Sequence, residues 1–281
     1  MPKLKIVTVT VRSTKTMLEP EANCFLVGTA HESVLIDAGY DLQTSAEAVE
    51  RAVRQHGLAT PTRILFTHAH PDHAPGAKHL RHWHATLQYH PLEETEVQKA
   101  LSLPESELHH QSVRLSHEAT ITIDSHPLIA LHTPGHTRGH LCFWLPEQKI
   151  LFSGDNVLGK GTTWIGGPEG NIRDYLQSLE QLQQLPIARI APGHGPWVDE
   201  APRERIAYLH RHRLEREAQV LSLLHAQPRR QATAATLAEA IYRDVPAAVL
   251  PFARLTVEAH LQKLEEDGKV RRLPGGRYEA I

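Results

Sequence analysis

The heptapeptide THAHPDH at residues 67–73 constrains this chain more than any other feature. It places three histidines and an aspartate within six residues, directly after the apolar run RILF. Such a run ending at a polar cluster reads as a short buried strand, Arg63–Thr67, that delivers its last residues into a turn. Side chains alternate along extended backbone, so His68 and His70 point to one side. Asp72 and His73 then turn toward a second position. Zinc takes imidazole nitrogen and carboxylate oxygen at about 2.0–2.2 Å, and these are the groups on offer. The chain holds 21 histidines in 281 residues, which raises the rate of chance matches. Even so, an H-x-H-x-D-H string arises by accident in roughly four such sequences in a thousand.

Three later sites share its character. TPGHT supplies His136, SGD supplies Asp155 and PGHG supplies His194. Each follows an apolar strand and sits beside glycine, which lets backbone crowd close to a ligand.

Around these sites the periodicity alternates between strand and helix. Lys3–Val11, Cys24–Ala30 and Ser33–Ala38 read as strands, followed by a helix over Thr44–Gln55 that ends before Gly57. Gly76–Trp83 is amphipathic, and 92–118 is polar with helical pieces. Strands return at Ala119–Ile123, Leu128–His132, Leu141–Leu145 and Ile150–Phe152. A helix over Ile172–Leu185 precedes a strand at Ala188–Ala191. Strands and helices in two successive halves predict an α/β, αββα sandwich over 1–200. After Pro202 a long charged helix runs to about His225. Helices at Thr236–Tyr242 and Thr256–Asp267 and a hairpin with its turn at Pro274–Gly276 then complete a small winged-helix domain over 201–281.

With all seven positions on the page, the set H-x-H-x-D-H, His, Asp, His resembles the metallo-β-lactamase superfamily across residues 67–195. The resemblance implies that His68, His70 and His136 hold one metal, that Asp72, His73 and His194 hold a second, and that Asp155 bridges both. It implies catalytic roles for Asp72 and Asp155 around a hydroxide shared by two divalent ions, most simply Zn2+, with Mn2+ or Fe2+ also suited to these donors. Asp155 sets the chain apart from the drug-resistance branch, and His70 from the flavodiiron branch. The stretches NCFLVGT, THAHPDHAPG, TPGHTRGH, SGDNVLGKGTTWI, YLQSLEQL, PGHGP and VEAHLQKLEEDGKV are most similar to the β-lactamase-like protein 2 family. Animal members of that family are endoribonucleases on single-stranded RNA, and fungal relatives hydrolyse carrier-protein thioesters.

Two substrate readings follow. A phosphodiesterase, an endoribonuclease on single-stranded RNA, is favoured by the tail. Residues 201–281 carry 14 Lys+Arg against 10 Asp+Glu, while the whole chain has a net charge of −2. Arg211, Arg213, Arg216, Arg229, Arg230, Arg271, Arg272 and Arg277 are the candidate phosphate contacts. An ester, thioester or lactone hydrolase of a small metabolite is favoured by the scarcity of aromatic residues there for base stacking. Sequence-specific duplex DNA is not expected, because Thr256–Asp267 carries Glu258, Glu265, Glu266 and Asp267 against Lys263. All seven ligands being in place argues against an inactive hydrolase domain serving a transcription factor. Thr162 and Thr163 are candidate substrate contacts. Cys24 and Cys142 read as buried core thiols. With no apolar leader or membrane span, the expectation is a cytoplasmic protein without a membrane partner.

Overall fold

The computed structural model describes residues 3–13 and 21–281. The expected strand Lys3–Val11 lies wholly within them.

Chain order runs β1 (Lys5–Arg12), β2 (Glu21–Gly28), β3 (Ser33–Ile36), α1 (Gln43–His56), β4 (Arg63–Leu65), a 3-10 segment Pro75–Trp83, β5 (Thr86–Tyr89), α2 (Glu94–Leu101), α3 (Glu105–Gln111) and β6 (Ser112–Arg114). There follow β7 (Ala119–Ile123), β8 (His126–His132), β9 (Leu141–Leu145), β10 (Ile150–Gly154), α4 (Ile172–Gln183) and β11 (Arg189–Pro192). The tail is α5 (Pro202–His225), β12 (Gln231–Thr233), α6 (Ala234–Ile241), α7 (Leu250–Glu266), β13 (Val270–Leu273) and β14 (Arg277–Ala280).

Two compact units emerge. The first comprises residues 1–133, 139–161 and 186–202. It holds a six-stranded sheet, ordered β1-β2-β3-β4-β5-β6, and a five-stranded sheet, ordered β11-β10-β9-β8-β7. The alternation of side chains explains why β2 is buried on both faces. Cys24 and Leu26 pack toward one core with Val49 and Val53 of α1. Phe25 and Val27 pack toward the other, with Phe143 of β9 and Phe152 of β10. That second core is the layer between the sheets, and Phe25 meets Phe152 edge-on at 5.2 Å between ring centroids. α1 closes at Gly57, whose left-handed φ of 58° returns its N–H to the helix end.

The second unit comprises 134–138, 162–185 and 203–281. Its own core gathers Val220 and Leu224 of α5, Leu237 of α6, Val257, Leu261 and Leu264 of α7, and Tyr278 of β14. The sheet β12-β14-β13 and helices α5 to α7 form the expected winged helix. α7 begins six residues earlier than the sequence suggests, because Pro251 occupies the first helical turn, where its missing N–H costs nothing. β5 and β6, inside or beside the stretch read as irregular, extend the first sheet. Among the described residues no helix is long and apolar enough to cross a membrane.

Candidate metal centre

Six of the seven residues singled out from the sequence converge in the first unit. The loop after β4 carries His68, His70, Asp72 and His73. The turn after β10 carries Asp155, and the turn after β11 carries His194. Both sheets therefore contribute. β10 pairs with β11 in parallel, and its register shifts between Phe152 and Gly154, which re-aims the chain before Asp155. Gly193 has no substitute. A Cβ there would lie 2.4 Å from Asp155 Oδ1 and 2.8 Å from His73 Cε1.

The donor atoms are spaced for a cation. His73 Nε2 lies 3.3 Å from His194 Nε2, 3.4 Å from Asp155 Oδ1 and 3.8 Å from Asp72 Oδ2. His194 Nε2 lies 3.1 Å from Asp72 Oδ2 and 3.4 Å from Asp155 Oδ2. Ligands about 2.1 Å from a tetrahedral zinc stand about 3.4 Å from one another. A second group of donor atoms, from His68, His73 and Asp155, lies within 4.8 Å of one another. The residues fit a divalent ion.

Four of the imidazoles are fixed from behind, which commits Nδ1 and leaves Nε2 for the site. His73 Nδ1 is 2.8 Å from Asp37 Oδ2, and His194 Nδ1 is 2.6 Å from the Glu21 carbonyl. His68 Nδ1 is 3.0 Å from Thr67 Oγ1, which itself donates to Asp37 Oδ2 at 2.8 Å. The seventh residue, His136, lies on 134–138 and is described with the second unit, where its Nδ1 is 2.7 Å from the Trp164 carbonyl.

The electrostatics agree. Burial works against a charged His73, yet Asp155, Asp72 and Asp37 raise its pKa well above the ordinary imidazole value. His194 is likewise opposed by burial but pushed up to about 11 by Asp155 and its hydrogen bonds to Asp155 and Asp72. Asp155, also buried, is held well below the usual carboxylate range by His194 and His73. The pocket holds positive charge between its carboxylates, which is what a metal supplies.

Several supporting residues left no mark on the sequence reading. Asp37, 2% exposed, ends the strand VLID and organises both His73 and Thr67. Glu93, 3% exposed, accepts the Ala69 N–H on one oxygen and the Gly139 N–H on the other, each at 3.0 Å. His140 Nε2 accepts the Asp155 N–H at 3.2 Å. His132 instead stacks on His90, with ring centroids 3.8 Å apart. The Thr163 side chain is buried with its hydroxyl 3.3 Å from that of Tyr175, whereas Thr162 is half-buried. Both cysteines are free and buried, as expected. Burial raises the Cys24 thiol well above its ordinary value and pushes Cys142 up to about 12, which favours the protonated thiol at both.

Residues 19–194 match the metallo-beta-lactamase superfamily and 233–277 match the beta-lactamase associated winged helix domain. The chain belongs to the metallo-beta-lactamase superfamily and is a hydrolase of that class. It is 31% identical to the beta-lactamase-like protein 2 homolog of Drosophila melanogaster, over 89% of this chain and 84% of the relative. It is 29% identical to an atrochrysone carboxyl ACP thioesterase of Passalora fulva, over 88% of this chain and 72% of the relative. The fold of a metallo-beta-lactamase family protein from Thermus thermophilus matches with a TM-score of 0.80 at 24% identity, covering 98% of each chain.

Proposed function

We propose that this chain is a dinuclear metal-dependent hydrolase of an ester, thioester or lactone of a small metabolite. In this reading His68, His70 and His136 hold one divalent ion, Asp72, His73 and His194 hold the second, and Asp155 is shared. Zinc suits the imidazole-rich donors, and manganese or iron suits the carboxylates. A bound pair of such ions supplies Lewis acidity and lowers the pKa of water toward neutrality, so that hydrolysis needs no protein nucleophile. The observation that carries the reading is the convergence of His73, His194, Asp72 and Asp155 donor atoms with each imidazole's Nδ1 already committed. The chain's own work is orientation. Asp37, Thr67 and the carbonyls of Glu21 and Trp164 fix four ring tautomers, while Asp155 and Asp72 keep their negative charge facing the ions. The catalytic domain spans 1–200, and the long helix with the winged helix spans 201–281. Thr162, whose side chain is half-exposed, is the better candidate for substrate contact.

The state of the tail arginines favours esters over RNA. Arg213 is 2% exposed, Arg271 is paired with Glu279, and Arg216 bonds Gln219 at 2.9 Å. Arg213 is thus committed within the protein, and the other two already have partners at the surface. A relative named as an ACP thioesterase supports the same direction. Arg211, Arg229, Arg230, Arg272 and Arg277 are solvent-facing and keep single-stranded RNA as a second reading. Two free, buried thiols support a cytoplasmic location.

A panel of acyl thioesters, lactones, bis(p-nitrophenyl) phosphate and short single-stranded RNA, run on metal-loaded protein, tests this. Turnover of a thioester or lactone at least a hundredfold above that of both phosphodiesters is the expected result. Efficient RNA cleavage that weakens steeply with added salt, with inert esters, overturns it.

A further inference from the structure

We propose that Arg213 is a positioning residue for the metal ligand His136, acting through the backbone of Thr163 and Trp164. The inference rests on the reading of His136 as a ligand given above.

Arg213 is a cation on a buried helix face. The buried face of α5 is formed by Ile206, Leu209, Arg213, Glu217, Val220 and Leu224. Helical spacing puts Arg213 where a leucine would pack. Glu217, one turn on, is its natural ion-pair partner. Instead the Glu217 carboxylate is taken by Lys263 Nζ, at 3.0 Å and 2.9 Å from its two oxygens. No carboxylate pairs with Arg213 among the described residues. A buried guanidinium without an anion is destabilising, so packing alone does not explain it.

Its contacts do. Arg213 Nη2 donates to the Thr163 carbonyl, and the guanidinium lies 5.6 Å from the centre of the Tyr175 ring. The Tyr175 hydroxyl donates to Thr163 Oγ1 at 3.3 Å, so Thr163 is held at two atoms. The next residue supplies the carbonyl that receives His136 Nδ1 at 2.7 Å. Trp164 is anchored in turn. Its indole N–H donates to the Phe252 carbonyl on α7 at 3.2 Å, and the two rings meet edge-on at 5.8 Å. The His136 loop is pinned to the same region. The Asn171 N–H donates to the Gly135 carbonyl at 2.9 Å, and a Cβ on Gly135 would lie 2.4 Å from the Tyr175 Cα. The chain of contacts runs from α5 and α7 through residues 163 and 164 to one imidazole. A carbonyl that orients a ligand histidine sets its tautomer and its aim, and losing such a partner typically costs 10–100-fold in metal affinity.

The test uses the full-length protein and binding readouts. Zn2+ is titrated against a competing chelator, and Co2+ absorption reports each site. Wild type binds two ions. Arg213→Met is expected to lose about 10–100-fold in affinity for one of them, with a changed Co2+ spectrum at that site alone. Its metal-free melting temperature should hold or rise, since a buried unpaired charge is gone. His136→Ala should weaken the same ion, and adding Arg213→Met to it should cost nothing further. Arg213→Lys, which keeps a charged donor, should fall between wild type and Arg213→Met, and it carries the test if Arg213→Met does not fold. Two ions bound with wild-type affinity in the folded variants, or fully additive losses in the double variant, overturn the inference. Fewer than two ions in wild type would instead defeat the dinuclear reading on which it stands.

Discussion

His73 Nδ1 lies 2.8 Å from Asp37 Oδ2, and both side chains are almost fully removed from solvent. The Asp37 carboxylate also receives the Thr67 N–H and hydroxyl. One buried acid thus orders the start of the ligand loop and the ring that follows it. Replacing Asp37 with alanine leaves three buried donors without an acceptor. We expect a loss of about 1–3 kcal/mol of stability for each donor left unpaired. Zinc affinity should also drop by roughly 10–100-fold. Chemical denaturation and chelator competition measure both, and unchanged zinc affinity would show that Asp37 serves the fold alone.

Asp155→Ala should abolish turnover while leaving the circular dichroism spectrum intact. The substitution removes the carboxylate whose oxygens lie 3.4 Å from both His73 Nε2 and His194 Nε2. Activity within about tenfold of wild type would reject Asp155 as a shared ligand.

Glu93→Gln tests the brace behind the ligand loops. The glutamate accepts from Ala69 and from Gly139, whose missing side chain makes room for it. Glutamine keeps one acceptor and sets its NH2 against the other N–H. The expected result is about 1–3 kcal/mol lost from stability and at least a tenfold fall in kcat. A variant with wild-type kcat and stability would mean that the loops hold themselves.

The second unit should carry a pH dependence of its own. Burial, together with the charges of Arg213, Arg216, His212 and Lys263, pushes the fully buried His260 down to about 3. An unfolded histidine titrates near 6.5. Between those values the unfolded chain binds a proton that the folded chain refuses, so stability falls as pH is lowered from about 6.5 toward 3. His260→Leu should flatten this part of the profile in metal-free protein. Parallel melting curves for variant and wild type from pH 7 to pH 4 would contradict the assignment.

How far the sequence reached is clear from particular residues. That His68, His70, Asp72, His73, Asp155 and His194 come together was legible because residues of this chemistry recur after apolar strands. Asp37 was hidden, since an acid at a strand end reads as an ordinary boundary and its meaning lies 36 residues away at His73. Glu21 and Trp164 were illegible in principle, because they act through backbone carbonyls that every residue has. Arg213 reads as a candidate phosphate contact, because its partner is a carbonyl 50 residues upstream. β5, only four residues long with Gln88 in its middle, offers too little periodicity to see.

The centre straddles the seam between the two sheets. Asp72 and His73 come from the six-stranded side, while Asp155 and His194 come from the five-stranded side. An ion held by donors from both sides would link its own capture to the docking of the sheets. It would then act as a removable cross-link. With free ion a thousandfold above its dissociation constant, a bound ion would add about 4 kcal/mol to the resistance against unfolding. Chelation should therefore loosen the packing of Phe25 against Phe152, in the core between the sheets, and amide exchange in β2 and β10 would register the loss before the helices respond.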